Sequence, residues 1–303
     1  NDLLEVEIAY FVAACYNNKL TDKEVEYLTK ATLDKEEKLK LNKKIIADKH
    51  CIGGVPNNRT SMIVTPIIAA AGITIPKTSS RSITSPAGTA DTMEVLSEIS
   101  FNTTQMEKII KKTNACLVWN EGMEVANADS KLIKIRHPLR LDPPGLMIAS
   151  ILAKKHAVGA THLLLDIPLG KNAKVRTKKE AKDLKKRFGK ISKILKIKIK
   201  IIITPANEPI GNGIGPALEA IDVLKILRRE KDAPKDLERK AVMMADKIFK
   251  LTNTKASAKE ILDCGQAYKK FKEIIKAQKG NPNIIPEKII LGKYTYNLKA
   301  NKK

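Results

Sequence analysis

Three observations predict an α/β fold with a smaller all-α portion beside it. From Ile45 onward, short apolar runs, Gly- or Ser-rich loops and helix-forming stretches follow one another in turn, the order of α/β folds. His162–Ile167 and Ile197–Thr204 read as buried strands separated by the charged amphipathic stretch Lys178–Phe188. The residues before Ile45 carry helical periodicity.

Taken in order, Leu4–Val12 places apolar residues at helical spacing, and Thr21-Asp22-Lys23-Glu24 is a capping box that opens a second helix. Ile45–Ala47 is a strand candidate, Asp48–Arg59 a Gly/Pro/Asn loop, and Ser61–Ala71 an apolar helix. Ile73–Thr78 predicts a strand that runs into a Ser/Thr-rich loop ending near Asp91, followed by a helix over Thr92–Glu98 and a strand at Cys116–Trp119. Gly145–His156 is an apolar helix whose basic end suits its dipole. After Gly211-Asn212-Gly213-Ile214-Gly215, Pro216 sits in the first turn of another helix, and further helices cover Leu237–Leu251 and Ser257–Gln278 before a short basic tail from Ile289. These elements divide into a discontinuous helical domain, residues 1–36 and 121–158, and an α/β domain, residues 37–120 and 159–303.

Composition removes several function classes. With 303 residues, 43% hydrophobic and 29% charged, the chain can bury a large core, and no apolar run reaches the roughly 20 residues that a membrane span requires. The start Asn1-Asp2-Leu3 has neither an initiator Met nor a basic-then-apolar leader, which reads as a piece of a longer protein. Cys15, Cys51, Cys116 and Cys264 form no CxxC pair, so neither a structural zinc site nor a disulfide framework is expected, and a reducing, cytoplasmic setting fits. Lys+Arg exceed Asp+Glu by 56 to 33, a net charge of +23 that brings nucleic acid into view. The excess is nevertheless mostly lysine interleaved with acids on helix-like stretches, and aromatics at 4% leave few stacking platforms. Attraction of phosphorylated small molecules suits this surface better.

Two loops carry candidate chemistry. In Asp48-Lys49-His50-Cys51-Ile52-Gly53-Gly54 the glycines let backbone N–H groups approach an anion, the following helix start adds partial positive charge, and Lys49 adds a full one. A plain tight turn is the alternative, against which the Thr60 and Ser61 hydroxyls weigh. The second loop, Thr78 to Asp91, offers a run of hydroxyls and Arg81 suited to phosphate and ribose oxygens, or else is a polar surface loop. Two loops that each follow a strand can converge at the carboxyl edge of one sheet.

With Asp48–Val55, Ser79–Asp91 and Ser150-Ile151-Leu152-Ala153-Lys154-Lys155 in this order, the chain resembles the thymidine/pyrimidine nucleoside phosphorylase family from Asn1 to about Leu291. Within it, Lys49–Gly54, Ser79–Asp91 and Arg136–Gly145 look like the archaeal-type AMP phosphorylases. The resemblance implies the nucleoside phosphorylase/phosphoribosyltransferase-like fold, a cytoplasmic homodimer, and phosphorolysis: phosphate attacks C1′ of a nucleoside 5′-monophosphate and releases base and ribose 1,5-bisphosphate. No cofactor or metal is implied, since inorganic phosphate is the co-substrate.

By the same resemblance, Gly54, Ser80, Arg81, Ser82, Ile83, Thr84, Ser85, Thr89, Ser150 and Lys174 bind the nucleotide. Lys49, Ser61, Ser79 and Thr89 match phosphate-holding positions, and Arg136 and Lys154 match residues near the base. Asp142 matches the proton donor. An acid in that role needs its proton retained at neutral pH, and Leu141, Pro143 and Pro144 are apolar neighbours that would help. The alternative is that Asp142 caps the helix beginning near Pro144. Lys174 either neutralises a 5′-phosphate or is one solvated lysine among many. Cys51 stands where the nucleoside phosphorylases carry Ser, and the extra terminal domains of the AMP-type enzymes are absent from this sequence. The rival activities are a thymidine or pyrimidine nucleoside phosphorylase and an anthranilate-type phosphoribosyltransferase; the rival of another class is a basic nucleic-acid-binding protein.

Overall fold

A computed structural model describes residues 3–33, 38–82, 85–119 and 127–299, with backbone alone for 127–130. Two helices come first, α1 (Glu5–Asn18) and α2 (Asp22–Leu33). The Thr21 capping box forms as predicted, with Glu24 accepting from the Thr21 N–H at 2.7 Å. Then follow β1 (Ala47–Cys51), α3 (Thr60–Ala70), β2 (Ile75–Ser79), α4 (Thr89–Glu94), α5 (Thr103–Thr113), β3 (Ala115–Trp119), α6 (Asn127–Arg136), α7 (Pro144–Ala157), β4 (His162–Leu169), α8 (Lys178–Ile194) and β5 (Lys198–Pro205). Helices α9 (Pro216–Leu227), α10 (Lys235–Thr252), α11 (Ala258–Asp263) and α12 (Gln266–Ala277) follow, and a short 3-10 turn spans Pro286–Lys288.

All strand pairs are parallel. β4 lies between β1 and β5, β2 pairs with β3, and the bridge between Ile46 and Thr74 joins the two sets into the order β3-β2-β1-β4-β5. The chain works outward from β1 to β3 and then returns to lay β4 on the other side of β1. The carboxyl ends of β1 and β4 therefore flank a topological switch point, where open α/β sheets leave a crevice.

Apolar layers close both faces of the sheet. On one side Met62, Ile63, Ile67 and Ile68 of α3 pack with Met244, Ile248 and Phe249 of α10 and Phe271 of α12. On the other, Ile148 and Leu152 of α7 and Phe188 and Ile191 of α8 meet Leu163 and Leu165 of β4. Helix α7 also touches the amino-terminal helices, since Leu146 packs with Val12 and Cys15 of α1.

Four local expectations shift. β1 is not Ile45–Ala47: it is Ala47–Cys51, running through Asp48 and Lys49, charged residues that the sheet buries because partners meet them there, and half-buried His50. The helix after the second loop begins at Thr89 rather than Thr92, because Gly88 serves as N-cap and Asp91 accepts its backbone N–H at 2.8 Å. The predicted helix Ser257–Gln278 is broken at Cys264-Gly265 into α11 and α12. β5 is an edge strand rather than a buried one, with Ile203 41% exposed; Lys196, Lys198 and Lys200 at period two are the edge signal behind the apolar run.

Candidate active site

The turn after β1 is built by close approach. Gly53 and Gly54 have φ values of 107° and 94°, and a Cβ on Gly54 would lie 2.7 Å from the Lys174 backbone nitrogen. The loop after β4 is thereby stacked directly on this turn. Beneath it, buried Lys49 donates from Nζ to Thr60 Oγ1 at 2.6 Å and to Ser61 Oγ at 3.4 Å in the first turn of α3. Burial lowers the Lys49 ammonium from its ordinary value.

The loop after β2 is held by Asp91, which accepts from the Ser82 N–H at 2.7 Å, the Gly88 N–H and the Arg81 guanidinium at 3.0 Å. Arg81 also forks onto Glu94 at 2.6 and 2.7 Å and lies 4.9 Å above the Trp119 ring. Its charge therefore braces the loop. A Cβ on Gly88 would fall 2.4 Å from the Arg81 carbonyl carbon, so no larger residue lets the loop fold back this tightly. Thr89 accepts from Arg59 Nη1 at 3.2 Å.

These loops, together with α7 and the end of α6, enclose a cavity of about 160 Å³. Of the predicted residues, Lys49, Gly54 and Ser61 line it from the β1–α3 side; Ser79, Ser80, Arg81, Ser85 and Thr89 from the second loop; Ser150 and Lys154 from α7; Arg136 from the end of α6; and Lys174 from the loop after β4. Ser82 lies outside the lining and hydrogen-bonds Ser85 within its own loop. Ile83 and Thr84 fall outside the described residues.

Asp142 is not among the lining residues but is ion-paired to two of them. Its carboxylate bridges Arg136 Nη1 at 3.1 Å and Lys174 Nζ, and its side chain is 31% exposed. The capping alternative does not hold: α7 starts from Pro143 as N-cap, with no side-chain hydrogen bond. The immediate setting is a pair of cations rather than the apolar enclosure anticipated from Leu141, Pro143 and Pro144.

Several lining residues escaped sequence reasoning. Arg59 forms a buried ion pair with Glu219 at 2.8 Å, and Lys155, 1% exposed, pairs with Asp48 at 2.6 Å. Lys77, 4% exposed, enters from β2; burial beside the Lys155 ammonium pushes it down to about 7. Burial and the neighbouring Lys155, Lys77, Lys154 and Lys49 hold His50 well below its ordinary value, so its imidazole is neutral. A lysine inside the apolar run Ile73–Thr78 was the available signal for Lys77. Positive charge thus surrounds the cavity, an arrangement that draws anions.

Residues 43–275 match the glycosyl transferase family, a/b domain. The chain is 46% identical over 98% of its length to an AMP phosphorylase of Thermofilum pendens and 45% identical over 98% to that of Thermococcus kodakarensis. It is 43% identical over 92% to a provisionally named thymidine phosphorylase of Albidiferax ferrireducens. It spans 58%, 60% and 54% of those relatives' lengths. Its fold is similar to those of the anthranilate phosphoribosyltransferases of Thermus thermophilus, with a TM-score of 0.69 at 14% identity over 92% of this chain and 97% of that one, and of Saccharomyces cerevisiae, with 0.69 at 15% over 91% and 85%. With its cavity built wholly from residues inside or beside the matched segment, the chain belongs to the glycosyl transferase family.

Proposed function

We propose that this chain catalyses phosphorolysis of nucleoside 5′-monophosphates, converting AMP and phosphate to adenine and ribose 1,5-bisphosphate. One observation carries the reading: the Gly54 turn rests on the backbone of Lys174, and the side chain of Lys174, which lines the cavity, is ion-paired to Asp142 beside it. Inorganic phosphate sits against Lys49, Ser61, Ser79 and Thr89. The sugar and 5′-phosphate lie along Gly54, the second loop, Ser150 and Lys174, while Arg136 and Lys154 face the base. As the glycosidic bond breaks, positive charge grows on the ribose and negative charge on the base, and the phosphate anion and an acid act at the two ends. Asp142 is the acid. The 5′-phosphate takes Lys174 and the base takes Arg136, so substrate removes both of the counter-ions that pair with Asp142.

Phosphate-dependent release of adenine from AMP, compared with thymine from thymidine, tests the reading. Cleavage of thymidine and not AMP overturns the substrate assignment in favour of the nucleoside phosphorylase alternative, which the Albidiferax relative's name favours. Asp142→Asn is expected to cut turnover about 10²-fold or more while phosphate still binds; unchanged turnover removes Asp142 from the chemistry. Activity persisting in EDTA supports the cofactor-free reading, whereas dependence on Mg²⁺ and a diphosphate leaving group points to the phosphoribosyltransferase alternative. Nanomolar, sequence-specific nucleic-acid binding at physiological salt would overturn the small-molecule assignment.

No helix among the described residues is long and apolar enough to cross a membrane. The four free cysteines and a phosphorylated substrate support a cytoplasmic setting. Exposed Leu4, Val6, Tyr10 and Tyr16 on and beside α1 support a homodimer built on that face. Light scattering checks it: a monomer at micromolar concentration rejects the dimer.

A further inference from the structure

We propose that Arg59 is a positioning residue for the inorganic phosphate: it holds the Thr89 hydroxyl as an acceptor, so that the Thr89 proton is left for a phosphate oxygen. The inference rests on the phosphorolysis reading above. Its ground is a count of hydroxyl protons. A hydroxyl has one proton to donate and two lone pairs with which to accept. Thr60 Oγ1 accepts from Lys49 Nζ at 2.6 Å and donates to Asn58 Oδ1 at 3.4 Å, so its proton is used within the protein, and Thr60 does not line the cavity. Ser61 Oγ accepts from the same Lys49 at 3.4 Å, Thr89 Oγ1 accepts from Arg59 Nη1 at 3.2 Å, and both of these residues line the cavity. Neither hydroxyl donates to another group among the described residues. Each therefore has a buried cation on its lone pairs and a proton still to be placed, a pattern that an anion completes.

The surroundings of Arg59 suit position rather than charge. The residue is 5% exposed, and its Nε lies 2.8 Å from Oε2 of Glu219 on α9, a carboxylate with no exposure. Glu219 in turn accepts from the Gly215 N–H at 3.2 Å and from the Thr92 hydroxyl at 3.4 Å. Glu219 thus neutralises Arg59, and what the guanidinium adds is its rigid fork: Nε toward α9, Nη1 onto the first residue of α4. Arg59 is also the N-cap of α3, directly before Thr60 and Ser61. One side chain therefore ties the start of α4 to the hydroxyls that hold Lys49. By resemblance Thr89 matches both nucleotide and phosphate positions; its tie to Arg59, two residues from Ser61, assigns it to the phosphate. Arg59 touches no reacting atom. Without it the Thr89 proton can turn to other acceptors, and the phosphate loses one fixed donor.

Calorimetric titration with inorganic phosphate, in the absence of nucleotide, tests the proposal, and steady-state kinetics give the split between the two substrates. Arg59→Met and Thr89→Val are each expected to weaken phosphate binding about tenfold or more, the loss of one hydrogen bond to a charged ligand, while the KM for AMP changes less than about threefold. Because Arg59 acts through Thr89, the double variant is expected to bind phosphate within about threefold of the weaker single one. Losses that multiply in the double variant, phosphate affinity unchanged in Arg59→Met, or a KM for AMP that rises as much as that for phosphate overturn the proposal. Arg59→Met leaves Glu219 buried and unpaired, so Arg59→Met combined with Glu219→Gln replaces it should the single variant fail to fold. If the wild-type chain neither binds phosphate nor releases adenine from AMP, the phosphorolysis reading fails and takes this one with it. Phosphate-dependent release of adenine, together with an Arg59→Met variant of unchanged phosphate affinity, removes the present proposal alone.

Discussion

Buried charge is held differently on β1 and on β2. Around β1 the buried cations have side-chain oxygens: Lys49 has the Thr60 and Ser61 hydroxyls, Arg59 has Glu219, and Lys155 has Asp48. On β2, buried Lys77 donates to the Thr78 backbone carbonyl and has no ion pair among the described residues. The cations around β1 are thus compensated by side-chain partners, whereas on β2 burial is answered by a lowering of the Lys77 ammonium to about 7.

The largest effect expected from breaking this contrast is that of Asp48→Asn. It leaves buried Lys155 without its carboxylate, and loss of one member of a buried pair costs about 3–5 kcal/mol. Chemical denaturation measures this directly; a loss below about 1 kcal/mol would show that solvent already screens the pair. Next comes the pH dependence of Lys77. Its native value is lowered to about 7 whereas the unfolded chain keeps the ordinary lysine value near 10.5, so between these limits the unfolded state binds more protons. Stability therefore gains from this group as pH rises through that window, by at most about 1.4 kcal/mol per pH unit. Comparing wild type with Lys77→Met from pH 7 to 9 isolates the increment, and parallel curves would mean that Lys77 titrates normally. Smallest is Glu94→Gln, which weakens a half-exposed pair with Arg81; Asp91 still holds the loop, and a stability change under about 1 kcal/mol is expected. A larger loss would make the Arg81 brace a principal support of the cavity.

The site was unevenly legible in the sequence. Gly53-Gly54 and the hydroxyl loop could be read because a tight turn needs glycine and short polar side chains cluster where a chain must offer donors. Lys155 could not be assigned, since nothing local separates it from the many solvated lysines of this basic chain, and Lys77 carried one local signal, its place inside the apolar run Ile73–Thr78. Lys155 sits in the last turn of α7, where a helix dipole alone accounts for a base. The end of β1 was misplaced for the same reason: Asp48-Lys49-His50 looks like loop until Lys155 and the α3 hydroxyls are known to meet Asp48 and Lys49. Likewise the apolar run of β5 reads as interior; the alternating Lys196, Lys198 and Lys200 are the edge signal, and the strand order confirms it.

By itself the sequence determined the alternation of elements, the two glycine- and hydroxyl-bearing loops and the likeness to phosphorylases, because backbone conformation and periodicity are written in neighbouring residues. Tertiary structure alone decided which lysines are buried, which acids hold them and where a counter-ion is missing. Those depend on distances between segments far apart in the chain, such as Asp48 and Lys155, and on the water excluded when they pack.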